Sequence, residues 1–284
     1  MAPFETYRAV ADAEIARAVA QTESPFTIEV RFAGGLTPRQ QDAFKAAADR
    51  WTRVIVGDLP DVTVDGETVD DLVIIADGAD IDGPSKILGQ AGPTRLRPAG
   101  AGAAAFLPAK GRMSFDTADL AQMERDGTLN DVITHEMGHV LGIGSVWTQK
   151  GLLAGAGSSN PTFTGAGAGR EYRALGGDHA AIRPVPVENT GGPGTVDSHW
   201  REAVFGNELM SGFIRASGNP MSRVTVASLG DLGYAVDLDA AEPYEMPNVL
   251  ARAEDGLLVR PTAPIEAGIV LPNIPLTLPA DSLR

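Results

Sequence analysis

The chain has 284 residues, no cysteine, and 23 basic against 37 acidic side chains, a formal charge of −14. Without cysteine there is no disulfide framework, thiolate metal site or cysteine nucleophile, and the acidic balance argues against nucleic acid and anionic membranes, which recruit basic surfaces. A composition that is 43% apolar can build a core, while 33 glycines and 20 prolines forecast long irregular stretches.

No run approaches the ~18 apolar residues of a membrane span, and the start MAPFETYRAV lacks the basic-then-apolar order of a secretory signal. Phe4, Tyr7, Ala11, Ile15 and Val19 recur at steps of three and four, which predicts an amphipathic helix over 3–20, interrupted in its stripe by Arg8, within an N-terminal extension over 1–24. Phe26, Ile28, Val30 and Phe32 alternate with polar residues and predict a half-buried strand. Thr37-Pro38-Arg39-Gln40 is a capping-box start for a helix that puts Phe44, Ala47, Trp51 and Ile55 on one face, with Trp51 in the core.

Residues 71–76 (DLVIIA) read as a buried strand, 86–90 and 113–115 as shorter ones, and 100–105 as a flexible, small-residue segment. The aspartates Asp58, Asp61, Asp65, Asp70, Asp71, Asp77, Asp80 and Asp82 make calcium conceivable, but they lack the spacing of a calcium loop and read as a solvated surface.

Thr128 is placed to cap the next helix, with Asp131 in its first turn, an apolar surface from Leu129, Val132, Ile133, Met137, Val140 and Leu141, and a stop at Gly142. Within it lies His135-Glu136-Met137-Gly138-His139. At 100° per residue the two histidines sit one turn apart and about 40° around the helix, so both imidazoles reach one metal ion. Glu136 lies beside them, where it can hold and deprotonate a metal-bound water without being a ligand. Random placement of this composition produces roughly 0.003 such motifs. Nitrogen ligands, an open position and hydrolytic chemistry suit zinc, which takes three protein ligands in a catalytic site.

The third ligand is open. The compact motif HExxHxxGxxH would place a histidine where Ser145 stands. Of the two remaining histidines, His199 is followed by Met210 in a short apolar turn, as a methionine floor beneath a metal would require. His179 has no such companion and reads as a loop histidine. A carboxylate ligand from Glu171 or Glu202 is the further alternative. Between Gly142 and His199 runs a glycine-rich insertion with one short helix expected over 170–175. Ser222 caps a last helix that Gly233 ends, and residues 241–284 read as a proline-rich tail. Trp147 and Trp200 flank the site in sequence and either line a cleft or pack.

HEMGHVLGIG, a long insertion, then SHW, ELM and SRVTVASLGDLGY together resemble the leishmanolysin branch of the metzincin zinc metalloproteases, in a smaller, cysteine-free, bacterial-type form. The resemblance implies that His135, His139 and His199 bind one zinc ion, that Glu136 is the general base, that Met210 forms the Met-turn, and that Gly142 turns the chain out of the active-site helix. Gly212 stands where some metzincin branches carry a tyrosine that stabilises the tetrahedral intermediate.

The fold expected is α+β and metzincin-like. An upper subdomain over 25–142 would hold a twisted mixed sheet with a backing helix and the active-site helix, and a lower, mostly irregular one over 143–240 would end in a C-terminal helix, followed by the tail over 241–284. The expected activity is that of a zinc-dependent endopeptidase acting on protein or peptide substrates. They would dock by strand addition on a sheet edge formed between Ala91 and Leu107. The chain is expected to be a monomer, secreted or at the cell surface. Two rival readings stand: a non-catalytic adhesion or scaffold protein on a metzincin-like fold, against which an intact Glu136 argues, and a zinc hydrolase of a non-peptide amide.

Overall fold

The computed structural model describes residues 4–81, 83, 89–176, 184–192, 194–214, 217–247 and 274–284. The chain opens with strand β1 (Glu5–Val10), a single turn α1 (Ala13–Ile15) that continues as a π-turn through Ala20, strand β2 (Thr27–Phe32) and helix α2 (Pro38–Val54). A hairpin of β3 (Val62–Val64) and β4 (Glu67–Val69) precedes β5 (Leu72–Ala79), β6 (Gly89–Leu96) and β7 (Pro108–Asp116). Helices α3 (Thr117–Asp126) and α4 (Leu129–Val140) follow. Beyond them the regular structure is sparse: β8 (Leu153–Ala154), β9 (Thr162–Phe163), α5 (Ala166–Ala174), β10 (Val185–Pro186), α6 (Glu202–Phe205), α7 (Arg223–Leu232) and β11 (Leu276–Thr277).

The main sheet runs in the order β1-β2-β5-β7-β6-β11. The pairs β2·β5, β5·β7 and β6·β11 are parallel, while β1·β2 and β6·β7 are antiparallel, so the sheet is mixed and the architecture α+β, compatible with the metzincin-like class. In β2 the alternation is literal. Ile28, Val30 and Phe32 enter the core, while Glu29 and Arg31 face out, where Arg31 and Lys110 pair with Glu67 of the hairpin. The inward face meets α2 and α4 through Phe44, Trp51, Phe115, Ile133 and Met137, all without exposure, each contributing about 2 kcal/mol by its removal from water. Trp51 satisfies its one polar atom by donating Nε1–H to the carbonyl of Thr134 at 2.9 Å. Helix α2 starts with the expected reciprocal box: Gln40 N–H donates to Thr37 Oγ1 at 3.3 Å and Thr37 N–H to Gln40 Oε1 at 2.9 Å.

The helix expected over 3–20 forms only over its second half. Residues 5–10 are instead a six-residue antiparallel ladder on β2, from Glu5↔Phe32 to Val10↔Thr27. The same residues satisfy a period of two: Tyr7 and Ala9 turn towards the core, and Tyr7 reaches Asp49 of α2 at 2.8 Å while Arg8 pairs outward with Asp70 at 2.7 Å. A partner strand that starts 22 residues after the start of β1 overrides a local stripe that Arg8 already broke. Helical geometry resumes at Asp12, which caps the amides of Glu14 and Ile15.

Three further expectations are adjusted. Thr128 occupies the cap position of α4 but makes no side-chain cap bond. Helix α3 ends one residue earlier at the left-handed Gly127, so Thr128 is held in helical rather than extended backbone, and α3 itself, capped by Asp116, is an element the sequence reading lacked. The segment 100–105 contains a short 3-10 turn over Gly102–Ala104. The strand expected over 86–90 begins at Gly89 and extends to Leu96, while 86–88 lie outside the described residues, as do Asp82, His179 and residues 248–273 of the tail. The end of the tail returns to the body. Leu276 and Thr277 pair with Arg95 and Leu96, and Arg284 N–H donates to Asp61 O at 3.0 Å. No helix among the described residues is long and apolar enough to cross a membrane.

Candidate metal centre

Helix α4 lies under the sheet with His135, Glu136, Met137, Gly138 and His139 all buried. Its N-terminal end is fixed by Asp131, whose carboxylate accepts the N–H of Gly218 at 2.7 Å and the side-chain amide of Asn219 at 3.2 Å and lies 3.5 Å from Arg50. Arg50 also forks onto Glu242, which burial would raise but which that ion pair and the Met221 amide hold below its ordinary value. At the other end Gly142 adopts φ +113°, a conformation open to glycine but strained for other residues. Ser145, in the position where the compact motif carries a histidine, donates to the carbonyl of His139 at 2.6 Å and so closes the helix end.

The third imidazole comes from across the fold. His199 Nε2 stands 3.1 Å from His135 Nε2 and 3.0 Å from His139 Nε2, and the two helix histidines are 3.1 Å apart at the same atoms. Each ring is held from behind. His135 Nδ1 donates to Leu209 O at 2.7 Å, His139 Nδ1 to Ile143 O at 2.8 Å and His199 Nδ1 to Thr195 O at 2.9 Å. A carbonyl only accepts, so each Nδ1 carries the proton, and three Nε2 lone pairs face one point. Nitrogens placed tetrahedrally ~2.0–2.1 Å from one ion would be roughly 3.3 Å apart, so the triad fits a transition-metal ion with little movement. The carbonyl partners also fix the orientation of the three rings.

Glu188 shapes the loop that carries His199. Its carboxylate accepts the amides of Asn189, Thr190 and Glu202 and the Thr190 hydroxyl at 2.7–2.9 Å, while its own N–H donates to His199 O at 2.8 Å. Trp200, the next residue after His199, stacks on Trp147 with centroids 4.9 Å apart, and both indoles are fully buried. They pack rather than line a cleft. Met210 lies under the helix: a Cβ added at Gly138 would fall 2.7 Å from its sulfur and 2.9 Å from the Trp51 ring, so only glycine lets helix, indole and thioether approach so closely. Glu171, one of the carboxylates weighed as third ligand, is instead paired with Arg223 at 2.8 Å. Glu188 lies in no motif, and Glu208 opens the ELM stretch without a role of its own attached to it. The one usable hint was Ser222 and Thr225 at cap spacing twelve residues after Met210.

The aspartates Asp58, Asp70 and Asp71 bring oxygens within 4.8 Å of one another. Beside them the buried guanidinium of Arg97 donates to the main-chain carbonyls of Pro60, Pro108, Asp70 and Asp71, which places an internal cation next to this cluster.

No curated protein matches the chain. Residues 166–251, which carry His199, Met210 and α7 and do not reach the α4 histidines, match the family model of leishmanolysin, so over that stretch the chain is similar to this metallopeptidase family.

Proposed function

We infer that the chain is a zinc-dependent metalloendopeptidase in which His135, His139 and His199 hold the ion and Glu136 is the general base. One observation carries this reading: three imidazoles from two separate segments, each with its proton committed to a carbonyl, converge through Nε2 at 3.0–3.1 Å. An all-nitrogen donor set without thiolate or redox partner suits zinc. When bound, zinc supplies Lewis acidity towards water and towards the carbonyl oxygen of a peptide bond.

Glu136 follows His135 on the same buried helix. It takes the proton from the attacking water and passes it to the departing amine. Met210 and Gly138 hold the turn beneath α4 against that helix, keeping His135 and His139 at fixed height. An extended peptide adds to the edge of β6, where β11 touches Arg95 and Leu96 and Gly89–Thr94 have no strand partner on that side among the described residues. This edge lies above the end of α4, since Gly111, the partner of Pro93, abuts Val140 beside His139.

Glu136→Gln tests the reading. The variant should keep about one zinc per chain and lose peptide cleavage by about 10²–10⁴-fold in kcat. Undiminished digestion of a peptide library by the variant, or a wild-type chain that hydrolyses only non-peptide amides, would overturn it.

A further inference from the structure

We propose that Glu208 is a positioning residue for the metal centre: its carboxylate ties the turn that holds Leu209 and Met210 to the start of α7, and thereby sets the carbonyl that aims His135. The inference rests on the metal-centre reading above. Glu208 has no exposure. Its Oε2 accepts the N–H of Met210 at 2.6 Å, and its Oε1 accepts the N–H of Ser222 at 3.0 Å together with the hydroxyls of Ser222 at 2.8 Å and Thr225 at 2.5 Å.

Four donors on two oxygens is a load that a carboxylate can accept and a neutral side chain with one acceptor oxygen cannot. Three of them head α7, whose positive end favours a negative group there. Once desolvated, such a network is costly to rearrange, which makes it a rigid reference point.

From that point two bonded routes lead to the histidines. Along one, Glu208 fixes the Met210 amide, the preceding carbonyl of Leu209 is fixed with it, and that carbonyl receives the Nδ1 proton of His135 at 2.7 Å. Along the other, the Thr225 hydroxyl bonded to Glu208 accepts the indole N–H of Trp200 at 2.8 Å, and the backbone N–H of Trp200 donates to Met210 O at 2.9 Å. Trp200 is the neighbour of His199. One buried carboxylate therefore sets the relative placement of an imidazole on α4 and of the imidazole that arrives from the distant loop.

Glu208→Gln separates positioning from folding. Its single oxygen satisfies Ser222 and Thr225, leaving its amide nitrogen opposed to the Met210 N–H, so it cuts the route to His135 while keeping the cap of α7. Thr225→Val cuts the route to Trp200, and Thr225→Ser restores it. Apo protein is titrated with Co²⁺ and followed by its visible absorption. Glu208→Gln should bind Co²⁺ about tenfold more weakly, with shifted bands. Thr225→Val should bind a few-fold more weakly, and Thr225→Ser should match wild type. Val30→Ala, which hollows the core at β2, should keep wild-type affinity and bands despite lower stability.

Wild-type affinity and bands in Glu208→Gln would overturn the proposal, as would an equal weakening in Val30→Ala for the same loss of stability. Should Glu208→Gln not fold, wild-type binding by Thr225→Val would do so. A wild-type chain that takes up no Co²⁺ overturns the metal-centre reading and this inference with it. Binding by wild type with unaffected variants overturns this inference alone.

Discussion

Gly138 shows how much a single atom decides at the proposed centre. A methyl group there would sit 2.7 Å from Met210 Sδ, which can swing away, and 2.9 Å from the ring of Trp51, which is wedged between α2 and α4 with its indole N–H committed to Thr134. Either Met210 leaves the underside of the helix or α4 moves off α2. Gly138→Ala should therefore cost about 1–3 kcal/mol as an overpacked core, against the usual gain from replacing a mid-helix glycine by alanine. Its metal affinity should fall as well, because His135 and His139 move with the helix. Urea denaturation and zinc titration of the variant check both parts, and a variant as stable as wild type with unchanged affinity would show that the space is not tight. The sequence exposed this glycine only as an x in the motif HExxH. The reason it must be small lies in two side chains, 72 residues later and 87 residues earlier, that no local pattern connects to it.

Elements differ in how far they can be read ahead of the fold, and the difference follows the range of the interactions that form them. The start of helix α2 was legible to the residue, because the Thr37–Gln40 box and the proline between them are local, whereas Ile55, expected on its apolar face, is the extended residue just past its end. β1 was not, since its alternation and its helical stripe are equally present in residues 4–10 and only pairing with β2 decides. That His135 and His139 share one helix face was readable from a spacing of four, whereas that His199 joins them was only an expectation drawn from Met210 and the resemblance, and folding brings the three Nε2 atoms together. The roles of Glu188, Glu208 and Asp131 were not readable, because each also answers a backbone amide of a segment brought close only by folding: Glu202 for Glu188, Ser222 for Glu208 and Gly218 for Asp131.

Asp71 is a case of the same kind with a measurable consequence. Its carboxyl joins the start of β5 to β2 and to the preceding loop by accepting the N–H and hydroxyl of Thr27 and the N–H of Leu59. Burial, with Asp70 adding to it, nevertheless pushes this group from 3.8 up to about 7. The folded chain thus holds the proton more tightly than the unfolded chain. The stability it contributes is complete below pH 3.8 and is lost as pH rises through about 7, at roughly 1.4 kcal/mol per pH unit in between. Asp71→Asn, measured against wild type by urea unfolding in chelator, should gain relative stability from pH 4 to pH 7, and a difference independent of pH would refute the assignment.

At the scale of the whole molecule the proposed ion is a clasp. Two of its ligands sit on a helix packed beneath the main sheet, and the third is delivered 60 residues later by a stretch with little regular structure. That stretch is held by Glu188, Glu208 and the stack of Trp147, Phe163, Trp200 and Phe205. Its order comes from buried polar anchors and aromatic packing rather than from a continuous ladder, which suits a composition rich in glycine. An ion bound by all three histidines binds the folded chain and not the unfolded one, so at a free concentration 1,000 times its Kd it adds about 4 kcal/mol. For a chain of this size that corresponds to a rise in Tm on the order of 10 °C. Chelation should remove that increment from wild type. In His199→Ala, where only the two α4 histidines remain, Tm should start near the chelated wild-type value and respond little to chelator. Differential scanning calorimetry with and without chelator checks this. If wild type melted at one temperature in both conditions, or His199→Ala kept the full response, the third ligand would have to be sought elsewhere and the joining of the two segments credited to protein contacts alone.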